Sequence, residues 1–553
     1  MKQNGYELKL TSGLVKARFT DSIESFTEYK SATALLGDRF YFSVLCGMSN
    51  TVSPLCRKIG VKVDSPIAEH ISVTLVEQVP VRHPDRFDFT DDDYISHEAG
   101  LYPDLLRPFE HIFVMPDRTH QLYFEVNVPE EFATGDYPIT VSLIDEDDEK
   151  KPVVIADTLT LSILPATLAP QELNYTQWIH YDCLAVYYGV EIFSERHWQI
   201  MEAFIRGAVK TGITAILTPI FTPPLDTAIG GERPTVQLVD VTRENGTYTF
   251  GFDKLKRFCD ICERAGARDL EIAHFFTQWG AKHAPKIMAH ENGEYRRIFG
   301  WDTDSTAPEY TAFLRALIPA LREKLEEYGF ADRYFFHISD EPIEDNRESY
   351  EKAKNTVWDL ICDRPVRDAL SHYSLYESGV VRDPVPAVDT ADEFVAHNVP
   401  NLWVYYCSVQ GKGVSNRYMT MPGHRTRVIG AQMYKTNVTG FLHWGYNFYF
   451  ERHSLSAVNP FLINDANFFV PAGDAFSVYP APDGTPWFSL RTAQFEQAIF
   501  DMRAMRAAEA VAGREAVLRV IDPEGNMDYM HYPKDPDFLV RMRDRLNRLA
   551  AGK

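Results

Sequence analysis

The residues best suited to do chemistry are two adjacent carboxylic acids, Asp340 and Glu341, in the run FFHISDEP (335–342). Apolar residues precede the pair, as in a buried strand, and Pro342 follows it. Neighbouring side chains of a pleated strand point to opposite faces, so the two acids can share a pocket only if the strand ends there. Pro342 supplies that break because it cannot donate to a strand ladder, and it is expected to hold Glu341 in an extended conformation.

Two carboxyl groups aimed into one cavity can act as a general acid beside an anion. Mutual repulsion and apolar neighbours raise the pKa of one of them, and cleavage of a glycosidic bond needs this combination. The dipeptide Asp-Glu also occurs at 145–146, 148–149 and 392–393, in turns or helix starts, so the prediction depends on the strand context. The competing interpretation is an ordinary helix start, with Ser339 or Asp340 as the N-cap and Pro342 as the first helical residue.

The elements that must position this pair are short apolar strands that alternate with helices. Strand LNYTQWIHYD precedes helix SERHWQIMEAFIRGAVKTG, for which Ser194 is the predicted N-cap. The alternation continues to a final strand AFSVYPAP and gives close to eight strand-helix pairs, which predicts a (β/α)8 TIM-type barrel. FFHISDEP then ends the fourth strand, at the barrel face where active sites are built.

Three stretches exceed what such a barrel needs, at about 220–250, 279–306 and 448–475. Each follows a strand and precedes a helix, so we expect long βα-loop insertions on the face that carries the two acids. The first stretch contains Asn245-Gly246, a signal for a tight hairpin.

Upstream of the barrel the apolar pattern has period two, in segments such as RFYFSVLCG and DYPITVSLID. This pattern predicts an N-terminal antiparallel β-sandwich that ends at the connector PATLAP (165–170). We expect three regions: the sandwich (1–165), the catalytic barrel (166–515) and a helical C-terminal extension (516–553).

Composition removes several classes of function. The chain has 56 Lys+Arg against 78 Asp+Glu and a formal net charge of −22, so nucleic acid is not an expected partner. No apolar run is long enough to cross a membrane, and the opening MKQNGYELKL lacks the apolar core of a secretory signal, so we expect a cytoplasmic protein. Among 7 cysteines only Cys259 and Cys262 are close, on a predicted helix, and are interpreted as packed side chains rather than a zinc or redox site.

Several ordered motifs resemble the DUF4091 family, whose catalytic domain is that of glycoside hydrolase family 123, the β-N-acetylgalactosaminidases and their relatives. The resemblance covers nearly the whole chain. It is carried by the runs AGLYPDLLRP (99–108), VPEEFATGDYPITV (128–141), HFFTQWGAKHAPKI (274–287), FGWDT (299–303), FHISDEP, GFLHWGYNFY (440–449) and SLR (489–491).

The resemblance implies a retaining, substrate-assisted exo-β-N-acetylhexosaminidase without a metal or another cofactor. In that scheme the 2-acetamido oxygen of the sugar attacks the anomeric carbon and forms an oxazolinium intermediate. Carried over by motif, Asp340 orients the acetamido N–H, while Glu341 protonates the leaving oxygen and later activates water. No protein nucleophile is required, which explains why the two acids are adjacent.

Other candidates for sugar binding stand at the ends of predicted strands or beside the acids. They are His180, Asp182, Gln278, Trp279, His337, Tyr405, Trp444, Tyr446 and Asn447. A tyrosine hydroxyl at 405 could hydrogen-bond the acetamido oxygen, and Trp444 could form a wall under the sugar.

Three alternatives remain open at this level. One is a metal-dependent barrel isomerase or lyase that uses His274, His337, Asp340 and Glu341 as ligands. The second is a non-catalytic sugar-binding protein, and the third is a glycosidase of the same family that acts on another sugar. The expected partner is a small carbohydrate, and the sequence leaves open whether the chain forms a homo-oligomer.

Overall fold

The computed structural model describes residues 1–86, 88 and 90–553. The N-terminal region contains the strands β1 (Lys2–Gln3), β2 (Tyr6–Ser12), β3 (Ser31–Leu36), β4 (Arg39–Met48), β5 (Arg57–Asp64), β6 (Ile71–Val81), β7 (Gly100–Arg107), β8 (Ile112–Val114), β9 (His120–Asn127), β10 (Gly135–Asp145) and β11 (Val153–Thr167). They form two sheets, ordered β1-β2-β4-β9-β6-β7 and β3-β11-β10-β5-β8. Alternate residues of both sheets, such as Phe42 and Val141, are buried in one shared core.

One pairing differs from the antiparallel prediction. β3 pairs with β11 in parallel, whereas the neighbouring pair β10–β11 is antiparallel. β3 and β11 lie at opposite ends of this region in sequence, so no hairpin turn sets their relative direction.

From residue 174 the chain alternates strands and helices. The first half contains β12 (Asn174–Gln177), α1 (Tyr181–Tyr188), α2 (Glu195–Lys210), β13 (Ala215–Thr218), β14 (Asp240–Glu244), β15 (Thr247–Gly251), α3 (Asp253–Ala265), β16 (Asp269–Ile272), β17 (Ile287–Glu291), β18 (Glu294–Phe299), α4 (Pro308–Glu327) and β19 (Tyr334–Phe335). The second half contains α5 (Arg347–Asn355), α6 (Trp358–Ile361), β20 (Arg367–Leu370), α7 (Tyr373–Glu377), β21 (Asp383–Pro386), α8 (Ala391–Ala396), β22 (Trp403–Tyr405), α9 (Gly423–Arg427), α10 (Ile429–Thr436), β23 (Gly440–His443), β24 (Val478–Pro480), β25 (Pro486–Phe488), α11 (Leu490–Ala512), α12 (Arg514–Ile521) and α13 (Phe538–Ala550).

Six of these strands form a curled parallel sheet in the order β19-β16-β13-β12-β23-β22. β20 and β21 form a separate parallel pair. Single parallel bridges, Phe336 to Val366 and Ala387 to Tyr405, connect this pair to the two outer strands of the curled sheet. The C-terminal ends of the strands therefore face one side of the molecule.

The prediction of the last strand of this sheet is wrong. The run AFSVYPAP contains β24, which pairs antiparallel with β25 and stands outside the parallel sheet. The strand that sequence reasoning missed is β21, whose residues DPVP hold two prolines and resemble a loop. Proline is tolerated here because the N–H of Ala387 donates to Leu370 of β20, so the nitrogens of Pro384 and Pro386, which alternate with it, point away from that strand.

Two local predictions about helices agree with the structure. Ser194 caps α2, and its side chain accepts a hydrogen bond from the backbone N–H of His197. Cys259 and Cys262 are free thiols buried on α3, and burial raises the pKa of both. They are packed side chains of an ordinary amphipathic helix.

The first insertion is the predicted hairpin, with Asn245 and Gly246 at φ of 49° and 79° between β14 and β15. A second hairpin, β17–β18, extends it into a sheet of four strands. Both hairpins belong to loops that follow strands of the curled sheet.

The C-terminal helices are packed rather than appended. α13 lies against α11 and β3, and Leu546 and Met542 share a core with Leu35 of the N-terminal sheets. The assignment of 516–553 to a separate region stays a prediction. Within the described residues, no helix combines the length and apolar character required to cross a bilayer.

Candidate active site

The two acids lie just beyond β19, where the backbone leaves the parallel sheet. Glu341 has φ of 45°, in the left-handed region, so the prediction that Pro342 holds it extended is wrong. The left-handed turn reverses the usual alternation of side chains, and Asp340 and Glu341 consequently line the same cleft.

The helix-start interpretation of this segment is also wrong. The helical turn after Pro342 begins at Glu344, and Ile343 is its N-cap. The hydroxyl of Ser339 donates instead to the carbonyl of Thr277, 2.8 Å away. Neither Ser339 nor Asp340 is therefore a helix cap, and the Asp340 side chain lines the cleft.

The cleft spans about 690 Å³ when its open mouth is included. Its lining residues come from the C-terminal ends of several parallel strands and from the loops that follow them. They are Trp178, Leu225, Asp226, Gln278, Trp279, Asp340, Glu341, Ala369, Tyr405, Cys407, Ser408, Leu442, Trp444, Phe469 and Val470.

The electrostatics of the pair favour a shared proton. Burial and the neighbouring Glu341 carboxylate raise the pKa of Asp340 well above its usual range. Burial also raises the pKa of Glu341. Two buried carboxyl groups that repel each other do not ionise together easily, so one remains protonated where exposed carboxyls would both be charged.

Tyr405 donates a hydrogen bond of 2.6 Å to Oε1 of Glu341. This bond lowers the pKa of Glu341, against the larger effect of burial. Because it also directs one carboxyl oxygen, the bond holds Glu341 in one orientation at the cleft wall.

Three further predicted residues line the cleft. Gln278 is buried and its side-chain oxygen accepts from the backbone N–H of Asp226 at 2.6 Å. Trp279 remains 42% exposed at the mouth, with φ of 64°. Trp444 is half-buried, and its indole N–H donates to Oδ2 of Asp474 at 2.9 Å, which fixes the plane of the ring.

His180, Asp182 and Asn447 do not line the cleft. Both oxygens of Asp182 pair with Arg233 at 2.7 Å, and both partners are buried. His180 accepts from Arg233 at 3.1 Å and faces the Trp444 carbonyl at 2.9 Å. Asn447 exchanges two hydrogen bonds with the backbone of His180. Their polar atoms are satisfied inside the protein by one another, by Arg233 and by the backbone.

Tyr446 and His337 also lie away from the cleft surface. Tyr446 is buried and packs edge-on against Phe204 of α2. His337 is buried behind the acids, between Glu271 and Asp368.

The four ligands of the metal-dependent alternative do not converge. Ligand atoms of His274, His337 and Asp368 lie within 4.8 Å of one another, but Asp340 and Glu341 are not part of this group. The rings of His274 and His337 are stacked, 4.3 Å apart and 16° from parallel. A metal lies in the plane of each imidazole that binds it, so stacked rings are poorly arranged to hold one ion.

Sequence reasoning missed Asp226 and Trp178. Asp226 follows the run LTPIFTPPL after β13, and burial raises its pKa to about 6. Trp178 follows β12 directly and donates its indole N–H to Glu271 at 2.7 Å. Asp226 lies in the loop beyond β13 and not at the strand end, so the strand-end pattern did not mark it.

The chain was compared with known proteins. The family model described as glycoside hydrolase 123, catalytic domain, matches residues 178–508. A family 123 glycoside hydrolase from Clostridium perfringens, solved in a study of glycolipid glycan hydrolysis, is similar with a TM-score of 0.75 and 12% identity, over 99% of this chain and 98% of that one. No match was found among curated proteins.

Two weaker structural similarities were found. A putative β-galactosidase from Bacteroides fragilis gives a TM-score of 0.32 at 8% identity, over 83% of this chain and 58% of that one. A GH10 xylanase with an Ig-like domain, from termite gut, gives 0.30 at 8% identity, over 86% and 100%. At these scores neither adds an argument.

The acid-lined cleft and the matched catalytic domain define the class: the protein is a glycoside hydrolase. More narrowly, the chain belongs to glycoside hydrolase family 123.

Proposed function

We propose that the chain is a retaining, substrate-assisted exo-β-N-acetylhexosaminidase, with β-N-acetylgalactosamine as the preferred terminal sugar. The observation that carries the proposal is the adjacent pair Asp340 and Glu341 on one cleft wall. The choice of N-acetylgalactosamine rests on the motifs that resemble the family.

In the first step, the acetamido oxygen of the bound sugar attacks its anomeric carbon and the glycosidic bond breaks. Glu341 gives its proton to the departing oxygen, while ionised Asp340 accepts the acetamido N–H and strengthens the oxygen as a nucleophile. In the second step, Glu341 takes a proton from water as that water attacks the oxazolinium carbon. Two displacements at one carbon restore the original configuration.

The surroundings of the pair support the orientation that these roles need. Tyr405 holds Glu341 by one carboxyl oxygen and leaves the other for the leaving group. Trp279 and Trp444 provide flat apolar surface for a sugar ring and its acetamido methyl. Asp226 adds a carboxylate suited to sugar hydroxyls.

The fold also fits the proposal. We infer that the parallel strands form a (β/α)8 barrel, which follows the two N-terminal sheets in the chain. Its eight strands are β12, β13, β16, β19, β20, β21, β22 and β23. Its C-terminal face carries the cleft, as barrel enzymes require. The expected partner is a small carbohydrate, with neither nucleic acid nor membrane involved.

Hydrolysis of p-nitrophenyl glycosides tests the proposal. We expect turnover of the β-N-acetylgalactosaminide, weaker turnover of the β-N-acetylglucosaminide, and none of plain β-galactoside or β-glucoside, with and without EDTA. Efficient cleavage of the plain sugars would contradict substrate assistance. Binding of N-acetylgalactosamine without turnover of any glycoside would instead indicate a sugar-binding protein.

A further inference from the structure

A third carboxylate of the cleft, Asp226, has one oxygen that the protein does not use. Asp226 lines the cleft from the loop between β13 and β14, and within the described residues only its Oδ2 accepts a hydrogen bond. We propose that Asp226 is a specificity-determining residue, whose Oδ1 accepts a hydrogen bond from a free hydroxyl of the terminal sugar at position 3, 4 or 6. This inference deepens the proposed function and rests on it.

The backbone of Asp226 is held in a strained conformation by side chains from two other loops. Its φ of 43° lies in the left-handed region. Its N–H donates to Oε1 of Gln278 at 2.6 Å, and its carbonyl accepts the hydroxyl of Ser454 at 2.7 Å. Gln278 belongs to the loop after β16 and Ser454 to the loop after β23. Such strain persists only where the surroundings impose it, and it concentrates at ligand sites.

The side chain of Asp226 is fixed through one oxygen only. The backbone N–H of His453 donates to Oδ2 at 3.2 Å. Arg233, the buried cation of the same loop, is already taken up by Asp182 and by the carbonyl of Leu225. Oδ1 therefore keeps its capacity to accept, and a hydroxyl brought into the cleft by a ligand can use it.

Hydrogen bonds connect Asp226 to the segment that carries the two acids. Ser339, next to Asp340, donates its hydroxyl to the carbonyl of Thr277 at 2.8 Å. Thr277 is followed by Gln278, whose amide oxygen holds the backbone of Asp226. The three segments follow β19, β16 and β13, which are neighbours in the curled sheet. In the proposed reaction the two acids serve positions 1 and 2 of the sugar, so the hydroxyls left for Asp226 are those at positions 3, 4 and 6.

The free oxygen of Asp226 restricts the class of substrate. Burial raises the pKa of Asp226 to about 6, so at pH 7 the carboxylate is mostly ionised and can only accept hydrogen bonds. A free hydroxyl has a proton to donate, whereas an ether, an ester or a sulfate at the same position has none, and a sulfate is also repelled. The expected substrates are therefore glycosides that end in a neutral N-acetyl sugar with an unsubstituted hydroxyl at this position.

The substitution Asp226→Asn tests the proposal, because the amide oxygen can keep the bond from His453 while an NH₂ group replaces Oδ1. The substrates are p-nitrophenyl β-N-acetylgalactosaminide and its 3-, 4- and 6-deoxy forms, at pH 7 with the full-length enzyme. In the wild type we expect one deoxy form to lose about 10–100-fold in kcat/KM, as for a hydrogen bond to a charged group. In Asp226→Asn the cost of the same deletion shrinks at least about fivefold, because the charge-assisted bond is gone.

The matched control is Asp332→Asn, at a side chain that is 85% exposed, and it keeps the wild-type losses. Equal losses for every deoxy form in the wild type and in Asp226→Asn would show that Asp226 only holds its loop, and would overturn the proposal. If Asp226→Asn does not fold, the wild type decides alone. Losses below about threefold at all three positions would then overturn the proposal.

Binding of free N-acetylgalactosamine and its deoxy forms, measured by calorimetry, separates this inference from the proposed function. If binding depends on one hydroxyl and on Asp226 but no glycoside is hydrolysed, the inference stands and the proposed function fails. If N-acetyl glycosides are hydrolysed without that dependence, the function stands and the inference fails. Absence of both binding and turnover would overturn both.

Discussion

At the residue scale, the site depends on the backbone of Glu341. A non-glycine residue with φ of 45° is strained by about 1–3 kcal/mol, and such strain concentrates at functional sites. Trp279 and Asp226, with φ of 64° and 43°, line the same cleft. The surrounding structure therefore holds the side chains of several cleft residues in directions that an unstrained chain would not choose.

The substitution Glu341→Gln tests the assignment of the acid. We expect kcat/KM for a natural glycoside to fall by about 10²–10⁴-fold, because the leaving oxygen then receives no proton. The loss on a p-nitrophenyl glycoside is much smaller, since that leaving group needs little protonation. Steady-state kinetics on both substrates provides the measurement.

The matched control for this experiment is Glu393→Gln, in another Asp-Glu dipeptide. Glu393 is exposed in the first turn of α8, so its removal leaves both rates unchanged. Equal losses on the two substrates in Glu341→Gln would show that Glu341 is not the acid.

The pair Tyr405→Phe and Tyr406→Phe tests the hydrogen bond to Glu341. The bond from Tyr405 favours the carboxylate and lowers the pKa of Glu341, so its loss raises that pKa. Since Glu341 acts protonated, the alkaline limb of kcat moves to higher pH by about one unit, with a loss of about tenfold in kcat from misorientation. Full pH profiles check both effects.

Tyr406 is the appropriate control because its buried hydroxyl has no hydrogen-bond partner within the described residues. We expect the alkaline limb of the kcat pH profile in Tyr406→Phe to stay at its wild-type pH. If the alkaline limb of the kcat pH profile did not move in Tyr405→Phe, the 2.6 Å hydrogen bond would not affect the pKa of Glu341.

At the element scale, the loops between strands and helices are secured by buried ion pairs. Arg233, in the loop after β13, donates to Asp182 of α1, to the carbonyl of Leu225 and to His180. Leu225 and Asp226 form part of the cleft lining. Asp182 and His180, which the sequence predicted to bind sugar, instead contact Arg233 of the loop that carries Leu225 and Asp226.

The substitution Asp182→Ala separates these two roles. Removal of one partner leaves Arg233 buried without a counter-charge, so we expect the free energy of unfolding to fall by about 3–5 kcal/mol. Urea unfolding measures the change. The control Glu195→Ala, at the exposed pair with Arg257, costs less than about 1 kcal/mol. Unchanged stability with a raised KM would instead place Asp182 on the substrate.

At the scale of the whole molecule, the N-terminal sheets and the parallel sheets are joined by buried charges. Asp104 of β7 accepts two hydrogen bonds from Arg491 of α11, at 2.8 and 2.9 Å, and a third from Tyr479 at 2.6 Å. Arg491 also donates to the carbonyls of Gly473 and Phe476, on either side of the carboxylate that orients Trp444. The hydrogen bonds of Asp104 and Arg491 therefore support the cleft wall that contains Trp444.

The substitution Asp104→Ala is expected to lower the free energy of unfolding by about 3–5 kcal/mol, because Arg491 is fully buried. Urea unfolding followed by tryptophan fluorescence measures the loss. The control is Asp359→Ala, at an equally bidentate but exposed pair with Arg315, which costs less than about 1 kcal/mol. Equal losses of unfolding free energy in the two variants would mean that the buried pair of Asp104 and Arg491 stabilises the protein no more than a surface ion pair does.

The local features were predictable because they depend on neighbouring residues. Alternating apolar residues predicted the N-terminal strands, Ser194 predicted the start of α2, and Asn245-Gly246 predicted a hairpin. The strand context singled out Asp340 and Glu341, and the ordered motifs identified the family. Each of these signals comes from residues that are close together in the sequence.

Only the tertiary structure decided which strand-end residues face the cleft. His180, Asp182 and Asn447 were chosen by position, but Arg233 and the backbone satisfy them from segments distant in sequence. The left-handed turn at Glu341 is imposed against its local preference, and β21 forms only because β20 offers a parallel partner. The sequence by itself determined the two acids and the alternation of elements. Burial, ion pairing and backbone strain between distant segments decided the composition of the site.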